Sequence, residues 1–234
     1  MNDQLVIPRR FNGPRDSGHG GYSSGVVANL VDGDAEVRLR APPPLERPLR
    51  IERAGDGATT VFDGQTLIAE GHPTELDLKA PPPVSIEAAQ SADAAAWLEN
   101  HPFPTCFGCG PEREPGDGLR LFVGTVAGEH GLFACPFTPD SSLAAGSELA
   151  PEMVWAALDC PSAGPAPNPG NSPPIVLASM AVTQSAPVAV GEPHVIVSRL
   201  AREDGRKRFT SVALYSDDGE LKALGRSLWI SLRE

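Results

Sequence analysis

An acidic side chain at the end of an apolar helix is the first feature that could carry chemistry. Within residues 148–160, positions 153–158 form a continuous apolar run, and Pro151, a favoured residue of a first helical turn, precedes it. Pro161 disfavours the α conformation of the preceding residue, which predicts that the helix stops at Cys160. Buried carboxylates are costly unless paired, and perturbed ones concentrate at functional sites. Asp159 is therefore a candidate catalytic residue, the alternative being that it only ends the helix.

A glycine-rich helix start is the second such feature. His19, Gly20 and Gly21 precede a predicted helix over residues 22–31, whose apolar side chains recur at helical spacing. The first N–H groups of a helix have no partner within it, and glycine lets a ligand oxygen approach them closely. The alternative is a turn that merely begins a helix and leaves His19 in solvent. No Gly-x-Ser-x-Gly elbow follows, so a serine hydrolase is not expected.

The cysteines offer three readings. Cys106 and Cys109 form a Cys-x-x-Cys pair, and a zinc ion needs about four ligands, which His101 and Cys160 are the obvious residues to complete. Redox chemistry needs a different context, a strand leading into a helix within a βαβ unit. We expect structural packing for the pair, with no metal and no cofactor, and metal binding by Cys106 and Cys109 as the main alternative. Cys135 is expected in the core, within a strand.

Composition and charge exclude several classes of partner. The 234 residues carry a net charge of −11, which argues against nucleic acid and anionic membranes. No apolar stretch approaches the roughly 18 residues of a membrane span, and residues 1–13 lack the apolar segment of a signal peptide. These features predict a cytoplasmic protein with reduced cysteines. Against this acidity, Arg206, Lys207 and Arg208 form a basic run that could bind phosphate or form a solvated hairpin end.

The predicted elements that position these residues repeat one plan. Each half of the chain has a helix followed by a run of antiparallel strands, which is an α+β pattern. We expect domains over residues 1–80 and 105–234 and a largely helical connector over residues 81–104. The predicted strands are residues 5–11, 35–41, 49–53, 58–62, 66–70, 74–78, 118–124, 131–137, 175–187, 194–201, 208–216 and 221–232, with a loop over residues 162–174.

The motifs and this plan resemble the hotdog-fold thioesterase superfamily. His19-Gly20-Gly21 is similar to the His-Gly-Gly signature of hotdog acyl-CoA thioesterases of the phenylacetyl-CoA type. Residues 105–111 with 118–121 are similar to the CFxCG…GL opening of many bacterial members, and the helix that ends in Asp159 is similar to the one that carries the family's catalytic acid. The resemblance covers roughly residues 11–229. It implies two fused hotdog domains, each a helix wrapped by a curved antiparallel sheet.

The two halves depart from the family's pattern in complementary ways. In the family the acid lies nine residues after the histidine, but the residue nine after His19 is Ala28. The residue nine before Asp159 is Ala150, which is followed by proline and glutamate where the glycines would stand. The resemblance therefore implies one composite site per chain, with the helix start of the first half and the acid of the second.

The same resemblance assigns a role to each residue of that site. The N–H of Gly20 or Gly21 would stabilise the oxyanion of a thioester, and Asp159 would activate water or attack directly. His19 belongs to the signature. The family also uses an asparagine six residues before the histidine, whereas Asn12 lies seven before it.

The resemblance also implies partners and leaves alternatives. Arg206, Lys207 and Arg208 would bind the phosphates of coenzyme A. A homodimer is expected as well, because sheet edges can pair further. A dehydratase of the hotdog type is disfavoured, since no Asp-x-Asn-x-x-His motif is present. A non-catalytic acyl-CoA or lipid binder is the main alternative to an enzyme, and a purely structural module is the third reading.

Overall fold

Long antiparallel strands form most of the structure, and two helices pack against them. The computed structural model describes residues 4–99, 101–165 and 173–232. The strands are β1 Gln4–Leu5, β2 Ala35–Leu39, β3 Leu49–Arg53, β4 Thr59–Asp63, β5 Thr66–Pro73, β6 Gly124–Thr125, β7 Leu132–Phe137, β8 Ala144–Ala145, β9 Glu148–Leu149, β10 Ile175–Gln184, β11 His194–Asp204, β12 Lys207–Ser216 and β13 Leu221–Ser231. The helices are α1 Gly20–Ala28, α2 Ile86–Gln90, α3 Ala95–Leu98 and α4 Pro151–Ala163.

Eleven of these strands form one sheet. Its order is β1-β3-β4-β5-β2-β10-β13-β12-β11-β7-β6, and all pairs described are antiparallel. The strands that precede residue 80 lie together on one side, and those that follow residue 120 lie on the other. The two groups meet where β2 pairs with β10, with Val37 opposite Met180. Strands β8 and β9 form a separate short pair.

The second half of the sheet is covered on both faces. Along β12, Val212 and Leu214 belong to the main core, whereas Ala213 and Tyr215 belong to a second cluster with Ala89 of α2. This alternation follows from the two-residue period of a strand. The main core contains α1 and α4, so the helices that carry the candidate residues lie on the inner face.

Several predicted elements differ from the structure. The predicted strand over residues 5–11 stops at Leu5, and Arg9–Phe11 forms a 3-10 turn after Pro8. Helix α1 begins at Gly20, two residues earlier than predicted, and ends at Ala28. Residues 74–78 are not a strand. The connector contains two short helices, α2 and α3, and β5 extends to Pro73.

The predicted strand over residues 118–124 is also wrong, except for Gly124. Its N–H groups bond elsewhere: Leu119 N–H donates to Phe107 O at 2.8 Å, and Leu121 N–H donates to Gly108 O at 2.9 Å. The segment therefore lines the Cys-x-x-Cys loop instead of pairing with a neighbouring strand. Arg120 between them has a φ of 52°, which interrupts extended backbone.

Helix α4 does not stop at Cys160 as predicted. It continues through Pro161 to Ala163. The restriction that proline places on the preceding residue is a bias, and here two hydrogen bonds hold the last turn. Ser198 Oγ of β11 donates to Pro161 O at 2.7 Å, and within the turn Ser162 Oγ donates to Asp159 O at 2.7 Å. Asp159 thus lies within the helix. The predicted loop over residues 162–174 falls largely outside the described residues.

No helix in the described ranges has the length and apolar character needed to cross a membrane.

Candidate active site

The glycines of α1 allow it to lie directly against α4. The two helices run antiparallel: Gly21 lies against Trp155 and Asp159, and Gly25 lies against Glu152. A Cβ on Gly21 would overlap Asp159 Cβ and come within 2.5 Å of Trp155 O, and a Cβ on Gly25 would come within 2.7 Å of Glu152 Cα. Since real Cβ atoms do not make such contacts, glycine is required at both positions. The start of α1 is thereby placed beside the C-terminal half of α4.

Three polar groups meet at this crossing. The Gly21 N–H donates to Asp159 Oδ2 at 2.6 Å, and His19 Nε2 lies 3.2 Å from the same oxygen. His19 is 1% exposed and Asp159 is 3% exposed. Within the described part of the chain, Asp159 Oδ1 has no hydrogen-bond partner. The structure therefore brings together His19, Gly21 and Asp159, which are 140 residues apart at the extremes (159 − 19).

His19 is fixed by the helix that it precedes. Its Nδ1 accepts a hydrogen bond from the Tyr22 N–H at 3.2 Å and so caps α1. In the neutral ring the proton then lies on Nε2, which faces Asp159 and also lies 3.3 Å from Cys160 Sγ. The sequence-based alternative of a solvated His19 is wrong.

Burial and charge shift both ionisable groups. Desolvation raises the pKa of Asp159 to about 6, against the opposing effects of His19 and the Gly21 N–H. Burial disfavours the His19 imidazolium, but the Asp159 carboxylate and the Cys106 thiol outweigh it and raise the pKa of His19. The carboxylate and the imidazole therefore favour each other's charged forms.

Thiols adjoin this pair. Cys106 Sγ lies 3.7 Å from Cys160 Sγ, and Cys109 of the same loop is a third buried thiol. Hydrogen bonds from the Cys109 and Cys160 thiols lower the pKa of Cys106 well below its ordinary value. Of the two residues expected to complete a metal site, Cys160 lies in this cluster, whereas His101 Nδ1 accepts from the Phe103 N–H at 3.0 Å.

Comparison with known proteins identifies the fold. No protein-family model and no curated protein matches the sequence. Three solved structures are similar over nearly the whole chain. A candidate thioesterase II of Thermobifida fusca has a TM-score of 0.62 at 14% identity, covering 100% of this chain and 94% of its own. The TesB protein of Mycobacterium avium subsp. paratuberculosis has a TM-score of 0.60 at 10% identity, covering 99% and 89%. A hot dog-fold protein of unknown function from Alicyclobacillus acidocaldarius has a TM-score of 0.55 at 12% identity, covering 99% and 92%.

The chain has the hotdog fold. The hotdog fold that the motifs implied is therefore confirmed. The large antiparallel sheet with few helices agrees with it.

Asn12 holds two loops of the hotdog structure together. Its Nδ2 donates to Thr105 O at 3.1 Å, its backbone oxygen accepts from the Phe107 N–H at 2.7 Å, and its Oδ1 accepts from the Arg113 guanidinium. Both side-chain polar atoms of Asn12 and its backbone oxygen are thus bonded to protein. The structure places it beneath the His19 loop and against the Cys-x-x-Cys loop, not beside Asp159.

The basic run lies at the tip of the β11–β12 hairpin, outside the buried cluster. Arg206 donates to Ser231 O at 2.8 Å, and Arg208 pairs with Glu203 at 2.7 Å. Lys207 is exposed. Two of the three cations are therefore engaged by the hairpin and its neighbour.

The side chains of His19 and Asp159 are buried at the crossing. Two surface cavities, of about 520 and 350 Å³, are lined by other residues: the first around Leu119, Arg120 and Phe137, the second around Pro187 and Ser216. Neither is lined by His19, Gly20, Gly21 or Asp159. Gly20 is the residue of this group that remains partly exposed, with Leu177 of β10 beside it.

One partner in the cluster, His19, escaped sequence reasoning. Cys160 was expected beside the Cys-x-x-Cys pair, whereas His19 was not, yet His19 Nε2 lies 3.3 Å from Cys160 Sγ. Gly108, between the two cysteines, carried a signal: a Cβ there would lie 2.5 Å from His19 Nε2 and 2.6 Å from Cys160 Sγ. Glycine in a Cys-x-Gly-Cys loop therefore indicates close approach by another group.

Proposed function

We propose that the chain hydrolyses acyl-CoA thioesters at a single site between two fused hotdog domains. In this proposal residues 1–80 and 105–234 are the domains and residues 81–104 connect them. The sheet order supports the division, since the strands of each half lie together. The observation that carries the function is the meeting of Asp159, from the second half, with the His19–Gly21 helix start, from the first.

The N–H groups of the helix start have different roles. The Gly21 N–H already donates to Asp159 Oδ2 and thus orients the carboxylate. The Gly20 N–H has no protein partner among the described residues and lies at the partly exposed end of the cluster. Gly20 is therefore the donor that would bind the thioester oxygen and stabilise its developing charge, an effect worth about 3 to 4 kcal/mol per donor.

Asp159 would supply the base. Its Oδ2 is held by Gly21, whereas its Oδ1 lacks a protein partner and can accept the proton of the attacking water. His19, within 3.2 Å, stabilises the carboxylate electrostatically and positions it. Water would attack the thioester carbon, the C–S bond would break, and the coenzyme A thiolate would leave with the proton that Asp159 accepted.

A second candidate function is non-catalytic binding of acyl-CoA. The burial of His19 and Asp159 favours it, because both side chains are almost fully shielded from a ligand. In both functions Arg206, Lys207 and Arg208 are proposed to contact the coenzyme A phosphates. A variant in which all three residues are replaced by alanine tests this contact. If the variant binds acyl-CoA with the same affinity as wild type, these residues do not belong to the site.

Release of free thiol from short, long and aromatic acyl-CoAs tests the proposal. We expect wild-type turnover and a loss of about 10²- to 10⁴-fold in kcat/KM for Asp159→Asn, since a positioned general base contributes that much. The amide oxygen can still accept the Gly21 N–H, so the fold is retained. Glu152→Gln, on the same helix but bonded to Asn29, is the matched control and should keep full activity.

The outcomes separate the two functions. Equal turnover by wild type and Asp159→Asn would refute Asp159 as the base. No turnover by wild type, with acyl-CoA still raising its melting temperature, would select the binding function.

A further inference from the structure

Three segments far apart in the sequence bring metal-binding atoms to one buried point. His19 precedes α1, Cys106 lies in the Cys-x-x-Cys loop, and Cys160 lies in the last turns of α4. One ligand atom from each of them lies within 4.8 Å of the others. Cys109, three residues after Cys106 in the same loop, is a further buried free thiol that would supply the fourth ligand. Three sulfurs and one imidazole nitrogen are a complete ligand set for structural zinc.

The separations fit a common central ion. Zinc–sulfur bonds of about 2.3 Å in a tetrahedron place two sulfurs roughly 3.8 Å apart, and a zinc–nitrogen bond of about 2.0 Å places nitrogen and sulfur roughly 3.5 Å apart. Cys106 Sγ and Cys160 Sγ are separated by 3.7 Å, and His19 Nε2 and Cys160 Sγ by 3.3 Å. The cysteines are free, and the sulfurs are too distant for a disulfide bond of about 2.05 Å.

The loop is shaped for close approach of these groups. A Cβ on Gly108 would lie 2.5 Å from His19 Nε2 and 2.6 Å from Cys160 Sγ. A Cβ on Gly110 would lie 2.5 Å from the backbone nitrogen of Cys106, and the Gly110 N–H donates to Cys106 O at 2.8 Å. The two glycines therefore allow a tight turn around the cysteines and an open centre towards His19 and Cys160.

We propose that Cys106, Cys109, Cys160 and His19 bind one zinc ion. Four protein ligands close the coordination sphere, which is typical of a structural site and not of a catalytic one. The ion would join the start of α1, the loop and the end of α4, and so would fix the crossing that positions Asp159. This inference stands without the proposed hydrolysis, because it concerns the ligands and not the reaction.

The proton inventory of binding is simple. The three thiols bind as thiolates and release their protons to solvent, and the imidazole binds through Nε2 in its neutral form. The ring proton then lies on Nδ1, so the cap bond from the Tyr22 N–H and the contact of Nε2–H with Asp159 Oδ2 are both lost, and the Gly21 N–H alone holds the carboxylate. Together these losses are on the order of a quarter of the free energy with which structural zinc binds, so ligation prevails.

Metal analysis of the full-length protein, purified without chelator and with reductant, tests the site. We expect about one zinc per chain in wild type. Cys106→Ser, Cys109→Ser and Cys160→Ser should each lose it. Cys135→Ala is the matched control, since Cys135 is equally buried but lies in β7, and it should retain the metal.

Cobalt provides a second measurement that does not depend on the variants folding. Wild-type protein stripped by a strong chelator and loaded with Co²⁺ should show thiolate-to-metal charge transfer and the intense visible bands of a tetrahedral site. Zinc should then displace the cobalt and erase these bands. Stripping should also lower the melting temperature, and zinc should restore it.

Four results would overturn the inference. The first is wild-type protein that contains no metal and does not take up Co²⁺, and the second is a zinc content that is the same in the three serine variants as in wild type. The third is iron in place of zinc. The fourth is a Cys106–Cys160 disulfide in protein freshly purified with reductant. Asp159→Asn separates this inference from the proposed function. This variant should keep the zinc and lose turnover. A wild-type protein that contains zinc but has no turnover would refute the proposed hydrolysis and leave the zinc site standing.

Discussion

Replacing Gly21 by alanine tests the crossing of α1 and α4 directly. The added Cβ would overlap Asp159 Cβ and lie 2.5 Å from Trp155 O, whereas carbon atoms prefer contacts of about 3.5 Å or more. The helices must therefore separate by roughly 1 Å, since neither neighbour is the end of a flexible side chain. The bond from the Gly21 N–H to Asp159 Oδ2 would then lengthen from 2.6 Å beyond hydrogen-bond range.

The cost follows from these two effects. Overpacking costs about 1 to 3 kcal/mol, and loss of a buried bond to a charged group costs about 1.5 to 3 kcal/mol. Because alanine has a higher helix propensity than glycine, the substitution also stabilises the helix by about 1 kcal/mol. The net loss of unfolding free energy is about 2 to 5 kcal/mol, which lowers the melting temperature by about 4 to 20 °C for a chain of this size.

Thermal unfolding followed by circular dichroism measures this shift. Gly25→Ala should lose less, because its Cβ also meets Glu152 but no charged hydrogen bond breaks. Gly55→Ala is the control, since nothing lies within 4 Å of a Cβ there, and its stability should change by no more than about 0.5 kcal/mol. A melting temperature for Gly21→Ala equal to that of Gly55→Ala would refute the close approach of the two helices.

Two further predictions concern groups outside the cluster. The buried Trp229 Nε1–H donates to Ser162 Oγ at 2.9 Å and would lose its acceptor in Ser162→Ala. The substitution should therefore lower the free energy of unfolding, measured by urea titration, by about 1 to 3 kcal/mol. An unchanged urea midpoint would contradict this. Burial lowers the pKa of His194 below its ordinary value of 6.5, so the unfolded chain binds the proton more readily and stability falls as pH drops below about 6.5. His194→Gln should reduce that slope by at most about 1.4 kcal/mol per pH unit, and a slope equal to that of wild type would argue against the assignment.

Local patterns predicted the elements whose pairing is also local. The Asp63-Gly64 turn places β4 and β5 correctly, and alternation places β2 and β3 within two residues. The apolar run of α4 gave the helix that carries Asp159. These signals depend on neighbours a few residues apart, which a sequence displays directly.

Errors arose where distant groups decided the local conformation. Residues 118–124 alternate like a strand, but their N–H groups are taken by the Cys-x-x-Cys loop. Pro161 is a stop signal, but the hydrogen bond from Ser198 Oγ to Pro161 O holds the helix beyond it. In both cases hydrogen bonds to residues distant in the sequence hold a conformation that the local pattern disfavours.

For the candidate site too, some features follow from the sequence and others only from the tertiary structure. The sequence by itself determined which residue types are present: an acid in an apolar helix, a His-Gly-Gly helix start, and a Cys-x-x-Cys loop. It also showed that each half lacks part of the pattern that the other half keeps. Only the tertiary structure decided that His19, Cys106, Cys160 and Asp159 share one buried point. The physical reason is that their proximity depends on the antiparallel packing of α1 on α4, which the glycines permit but whose register depends on the whole core.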